Sequence, residues 1–247
     1  MTLAGLVSLP VARATLRARA MALMPVAFTG LLALAAASNT AQSGYGGDTF
    51  TGFGRLFVIG LTMVLGAGLI ADEIEGGHAQ LVMLRPLTRA EWFGGRFAGA
   101  AGALVGGLSI AWLAGLVGFL RSGKPDLAWA LSLPLAAIEA LGWLAILAAL
   151  STLLRRSQNV GLLLVSGLFY FFATLTLPLA LGKVLWIEKM KNLGKYLGPM
   201  ELADLLKGLS GASRSWAPLP YDLIWLFGAW LVGVLLLNRR ELARRKQ

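Results

Sequence analysis

Six long apolar stretches, separated by short polar or charged breaks, set the pattern of this 247-residue chain. They fall near residues 21–38, 53–71, 97–120, 127–151, 159–182 and 221–238. A hydrocarbon core is about 30 Å thick and a helix rises about 1.5 Å per residue, so each stretch can cross a bilayer as a helix. The first is the weakest, being rich in alanine and carrying Pro25, and the last stops sharply at Asn238-Arg239-Arg240. The expected fold is an all-α membrane protein, a single transmembrane domain of six transmembrane helices over residues 1–247. Small residues recur four apart at Gly95/Gly99, Gly102/Gly106 and Ala111/Gly115, a spacing that lets helix backbones approach closely.

The polar breaks differ in kind. Residues 1–20 place Arg13, Arg17 and Arg19 after the apolar run Leu3–Val11, the reverse of a cleavable signal peptide. Leu6, Leu9, Arg13 and Arg17 fit an amphipathic interfacial helix lying along the membrane surface, with a frayed tail as the alternative. In the long break at 183–220, Trp186, Met190, Leu193 and Leu197 recur at helical spacing opposite Lys189, Lys191 and Lys195. Pro199 then opens a second short helix through Glu201, Leu202 and Leu205 to Gly208.

Composition agrees with the pattern. The chain is 57% hydrophobic and only 14% charged, with a mean hydropathy of +0.72, too little charge to cover a water-facing surface. The net charge of +10 flanks the apolar stretches instead of alternating with base-stacking aromatics, so nucleic acid is not an expected partner. Counting Lys and Arg with the N-terminus inside puts thirteen on one side, from Arg13 through Arg85, Arg155 and Arg156 to Lys246. The other side holds nine, six of them in 183–220. Positive charge gathers on the cytoplasmic side, so both termini are expected inside a multi-pass cytoplasmic (inner) membrane protein, with 183–220 external. There is no cysteine, which excludes disulfides and Cys-ligated metal.

Little of this reads as catalysis. Gly118-Phe-Leu-Arg-Ser-Gly123-Lys124-Pro125 approximates a P-loop, but Pro125 supplies neither the hydroxyl that would hold Mg²⁺ nor an N–H. His78 has no partner for a metal site. Glu139 is read as the one acid deep inside a span, a candidate membrane-embedded polar site or an interhelical hydrogen bond. No catalytic, cofactor-binding or metal-binding residue is expected, and the chain is read as not an enzyme.

The break at 72–96 carries most of the information. It opens with Asp72, Glu73 and Glu75, continues through Leu81, Leu84 and Leu87 on a short helix that Pro86 is placed to interrupt, and brackets that break with Arg85 and Arg89. Glu91-Trp92 then leads back to the membrane through Arg96. On the residues alone this is either a docking helix for a cytosolic partner or a solvated loop held at the headgroups by Arg and Trp.

The string E-I-E-G-G-H-A-Q-L-V-M-L-R-P-L-T-R at 73–89 resembles the corresponding loop of ABC-2 type transporter permeases. In that family an acid-x-acid-Gly start precedes a Leu-rich turn and an Arg/Ser-Pro-x-Ser/Thr-Arg ending. The N-terminal interfacial helix, the six spans, the short external helices before the last span and the basic tail Arg239-Arg240-Glu241-Leu242 are similar too. His78 stands where Thr is common, and Asn238 replaces an aromatic. The resemblance implies that the loop holds a cytoplasmic coupling helix seated on a cytosolic ABC ATPase subunit, with Glu73, Glu75, Arg85 and Arg89 as the ATPase-coupling residues. It implies a second permease copy, identical or related, and ATP and Mg bound only by the ATPase. Membrane lipids and an external partner at 183–220 complete the expected contacts. A secondary carrier would instead show inverted repeats and several polar residues at the midplane. A non-transporting scaffold signalling to an external partner is the other alternative.

Overall fold

The computed structural model describes residues 6–21, 58, 60–79, 84, 87–122, 127–171, 199 and 218–240. All regular structure among them is helical. Helix α1 covers residues 9–21 and α2 residues 60–66, followed by the short α3 (Ala71–Glu75). The longer helices are α4 (Arg89–Ser122), α5 (Leu127–Leu150), α6 (Arg156–Phe171) and α7 (Pro218–Arg239). The expected span at 21–38, the short helix over Leu81–Leu87 apart from Leu84 and Leu87, Arg85, and the loop 183–220 apart from Pro199 and residues 218–220 lie outside the described residues. Among those described, one helix is long and apolar enough to cross a membrane by length and composition, Leu219–Arg239, with a mean hydropathy of 1.7.

Local chemistry fixes the helix ends. Helix α4 begins at Arg89, eight residues before the apolar stretch that marks it in the sequence. The cause is a capping box. The Thr88 N–H and hydroxyl both donate to Glu91 Oε2 at 2.8 Å, and the Glu91 N–H donates to Thr88 Oγ1 at 3.2 Å. At 34 residues α4 is roughly 50 Å long, more than a hydrocarbon core requires. Helix α3 ends in two glycines. The Gly76 N–H returns to Asp72 O, and Gly77 takes the left-handed φ of 73° that turns the chain away.

Helix α5 is apolar on every side and packs most extensively against α7, then against α4, which also meets α7. Leu61, Leu65, Leu69, Trp92, Leu104 and Leu144 are wholly buried in the core these helices share with α2. Trp92 is therefore a core side chain, not the headgroup anchor that its place after a charged loop suggests. Helix α1 lies on the first turns of α4, with the Ser8 N–H donating to Glu91 O at 3.1 Å. A Cβ at Gly95 would stand 2.8 Å from Ser8 O, and one at Gly99 2.5 Å from Ala12 O. The Gly95/Gly99 spacing thus seats one face of the N-terminal helix against α4, while Leu9, Leu16 and Met21 on it stay exposed.

Candidate functional site

The charged side chains converge at one end of the bundle, where α3, the starts of α4 and α6 and the end of α7 meet. Three acids from α3 face four arginines there. Arg96 Nη2 lies 2.6 Å from Glu73 Oε2, with side chains only 16% and 21% exposed. Arg96 also donates to Thr15 Oγ1 of α1 at 3.3 Å. Arg19 of α1 and Arg156 of α6 flank Asp72 at 3.8 and 3.7 Å, and Arg155 stands 3.4 Å from Glu75. Burial pulls the Arg19 guanidinium below its ordinary pKa; Asp72 opposes that shift, while Arg156 and Arg96 add to it. Six of the arginines that charge counting assigns to one side (Arg19, Arg89, Arg96, Arg155, Arg156 and Arg240) are gathered at this single end.

Beneath the charges lies a neutral knot. Asn159 Nδ2 donates to Ala67 O at 3.0 Å and Leu147 O at 3.1 Å, from a side chain with no exposure. Ser151 Oγ accepts from the Ile70 N–H at 3.2 Å and donates to Ala148 O. Residues 67–70 form turns between α2 and α3 that leave the Ala67 carbonyl and the Ile70 N–H to these two side chains. The result ties α3 to the turn between α5 and α6.

The four residues expected to couple to an ATPase separate on inspection. Glu75 is half exposed beside an open groove that Asp72, Arg155, Arg156 and Val160 also line. Glu73 is turned inward onto Arg96. Arg89 caps the end of α7, donating through Nη1 to Leu237 O at 3.1 Å, Asn238 O at 2.9 Å and Arg240 O at 3.0 Å. Arg240 in turn donates to Thr152 O. Arg85 lies outside the described residues. Leu84, between them in sequence, is 83% exposed, while Leu87 packs on the core.

Glu139 is buried in α5, but it is not the one acid inside the bundle. Asp222 of α7 has no exposure at all. The helix starts earlier than the apolar run, at Pro218, which carries Asp222 past the rim where an acid would meet water. A Cβ at Gly142, one turn beyond Glu139, would lie 3.8 Å from Asp222 O and 2.8 Å from Pro199, so the two acids belong to the same α5–α7 contact. Ser151, Asn159 and the Thr88–Glu91 box were missed in the sequence. The box had a readable signal, Thr-x-x-Glu before an apolar run; the other two had none. Among the described residues no cluster of His, Asp and Glu is arranged to hold a metal ion.

Comparison with known proteins agrees with the loop resemblance. The profile of a family described as ABC-2 family transporter protein matches residues 19–242. No match was found among curated proteins.

Proposed function

The chain belongs to the ABC-2 family of transporter proteins, and from that premise we propose that it is the permease subunit of an exporter driven by a separate cytosolic ATPase. The observation that carries this reading is the family match over residues 19–242, which takes in the acid-led segment at 72–91 and every helix around it except most of α1. ATP and Mg are held by the ATPase, since the one P-loop-like string in the sequence, Gly118 to Pro125, ends in a proline that has no hydroxyl for Mg²⁺. The chain itself hydrolyses nothing.

In this reading six spans cross the cytoplasmic membrane with both termini inside, and two permeases pair with two ATPases. The charged end faces the cytosol, where half-exposed Glu75 and exposed Leu84 offer a charge and an apolar contact on one segment. Asn159 and Ser151 make α3 move with the α5–α6 turn, and Arg89 makes α4 move with the end of α7. A push on the segment 72–91 therefore reaches four helices at once, which suits a rigid-body switch between inward and outward states.

The test is co-purification with a cytosolic ABC ATPase, followed by substrate-stimulated ATP hydrolysis. The unsubstituted chain should retain the ATPase. Glu75→Lys should release or uncouple it while the chain stays folded. A chain that never retains an ATPase would leave the scaffold alternative in its place.

A further inference from the structure

We infer that the groove between α3 and the start of α6 seats the headgroup of a zwitterionic, amine-bearing membrane phospholipid, with one acyl chain lying along α6. The inference rests on the membrane reading of the family but adds a site to it.

Three observations carry it. The groove is walled by opposite charges held loosely apart. Arg155–Glu75 is 3.4 Å and Arg156–Asp72 3.7 Å, against 2.6 Å for the inner Arg96–Glu73 pair. Charge-assisted hydrogen bonds close to about 2.7–2.9 Å, so the rim charges keep capacity that each other's company does not use. A phosphate beside Arg155 and Arg156, with an ammonium beside Asp72 and Glu75, satisfies both signs. A purely anionic headgroup would meet the two acids, and a purely apolar ligand would strand four charges.

Along α6 the lining then changes character. Arg156 and Ser157 give way to Val160 and Gly161 one turn on, and to Leu164 a turn beyond that. Eight residues of helix is about 12 Å, the step from headgroup level into hydrocarbon. Leu164 is 53% and the adjacent Val165 66% exposed, so the apolar wall is open sideways to the bilayer. The groove also has room, since a Cβ at Gly161 would meet nothing within 4 Å. Charge of both signs at the mouth and an apolar strip below is the chemistry of a whole phospholipid.

The experiment reconstitutes the full chain in bilayers of equal phosphatidylethanolamine, phosphatidylcholine and phosphatidylglycerol, and weighs retained lipid by native mass spectrometry. Phosphatidylethanolamine should be retained several-fold over the other two, because only it combines the phosphate with N–H donors. Gly161→Leu fills the groove from within and should abolish the preference. Arg156→Ala combined with Glu75→Gln should abolish it too, which decides the matter if Gly161→Leu lowers the melting midpoint. Gly106→Leu, also with nothing within 4 Å of its Cβ but on α4, should leave it unchanged. Equal retention of the three lipids, a preference for phosphatidylglycerol, or a preference that survives a folded Gly161→Leu would overturn the inference. If lipid preference is absent and Gly161→Leu instead releases the ATPase, the groove seats the ATPase, and the proposed function stands without the lipid site.

Discussion

Glu73 and Glu75 sit two residues apart on one short helix and meet opposite environments. Glu73 is shielded, tight on Arg96, and Arg96 reaches on to α1. Glu75 is 53% exposed and Arg155 73%, at 3.4 Å across an open groove. The first pair joins three helices and holds the fold, whereas the second is screened by water and free to exchange partners. Charge alone does not separate these two glutamates; exposure does.

Breaking the inner layer should have the largest effect. Arg96→Ala leaves the Glu73 carboxylate mostly buried without its guanidinium. About 2–3 kcal/mol of stability should be lost, below the range for fully buried pairs because some exposure remains. Thermal unfolding in detergent measures it, and a double-mutant cycle with Glu73→Ala should recover much of the loss. Asn159→Leu should follow at about 2 kcal/mol, since it strips the buried Ala67 carbonyl of its donor and leaves Leu147 O with the Ser151 N–H alone.

The rim should behave in the reverse way. Glu75→Gln should cost about 0.5 kcal/mol or less in unfolding yet weaken ATPase co-purification and coupled turnover. If the unfolding loss at Glu75 equals that at Arg96, the inner and outer layers are not distinct.

Smallest is a pH effect at the start of α4. Hydrogen bonds from the Thr88 N–H and then its hydroxyl hold the Glu91 carboxyl below its ordinary pKa. A depressed carboxylate stabilises the fold above its unfolded pKa, and that contribution fades as pH falls through the folded value. The effect of Glu91→Gln on the melting midpoint should therefore be present at neutral pH and shrink progressively as pH falls below the unfolded reference near 4.3. A difference that stays constant down to pH 3 would remove the cap from the account.

The hydrophobic pattern was enough to read the helices of the described residues, and the acid-Gly-Gly…Pro-x-Thr-Arg segment was enough to read the family. Of the thirteen basic residues that charge counting put on one side, six arginines meet at one end of the described bundle. Helix starts were less legible because an apolar run marks only the buried part of a helix; Thr88 and Pro218 begin α4 and α7 earlier, through a cap and a ring-fixed φ. That shift is what drew Trp92 into the core and Asp222 beneath the rim. Arg89, Ser151 and Asn159 were opaque for another reason. Their partners are backbone carbonyls and N–H groups, which every residue carries, so no sequence signal distinguishes them.

Arg89 also has a consequence for how the protein is made. Its acceptor carbonyls are 148 to 151 residues further along the chain. At a synthesis rate of about 5–20 residues per second, they emerge roughly seven to thirty seconds after the guanidinium does. Through that interval the start of α4 is in place while the end of α7 has yet to leave the ribosome. The arginine is exposed to headgroups or to chaperones until α7 arrives, and its capture of those three carbonyls marks the moment when the nascent bundle closes.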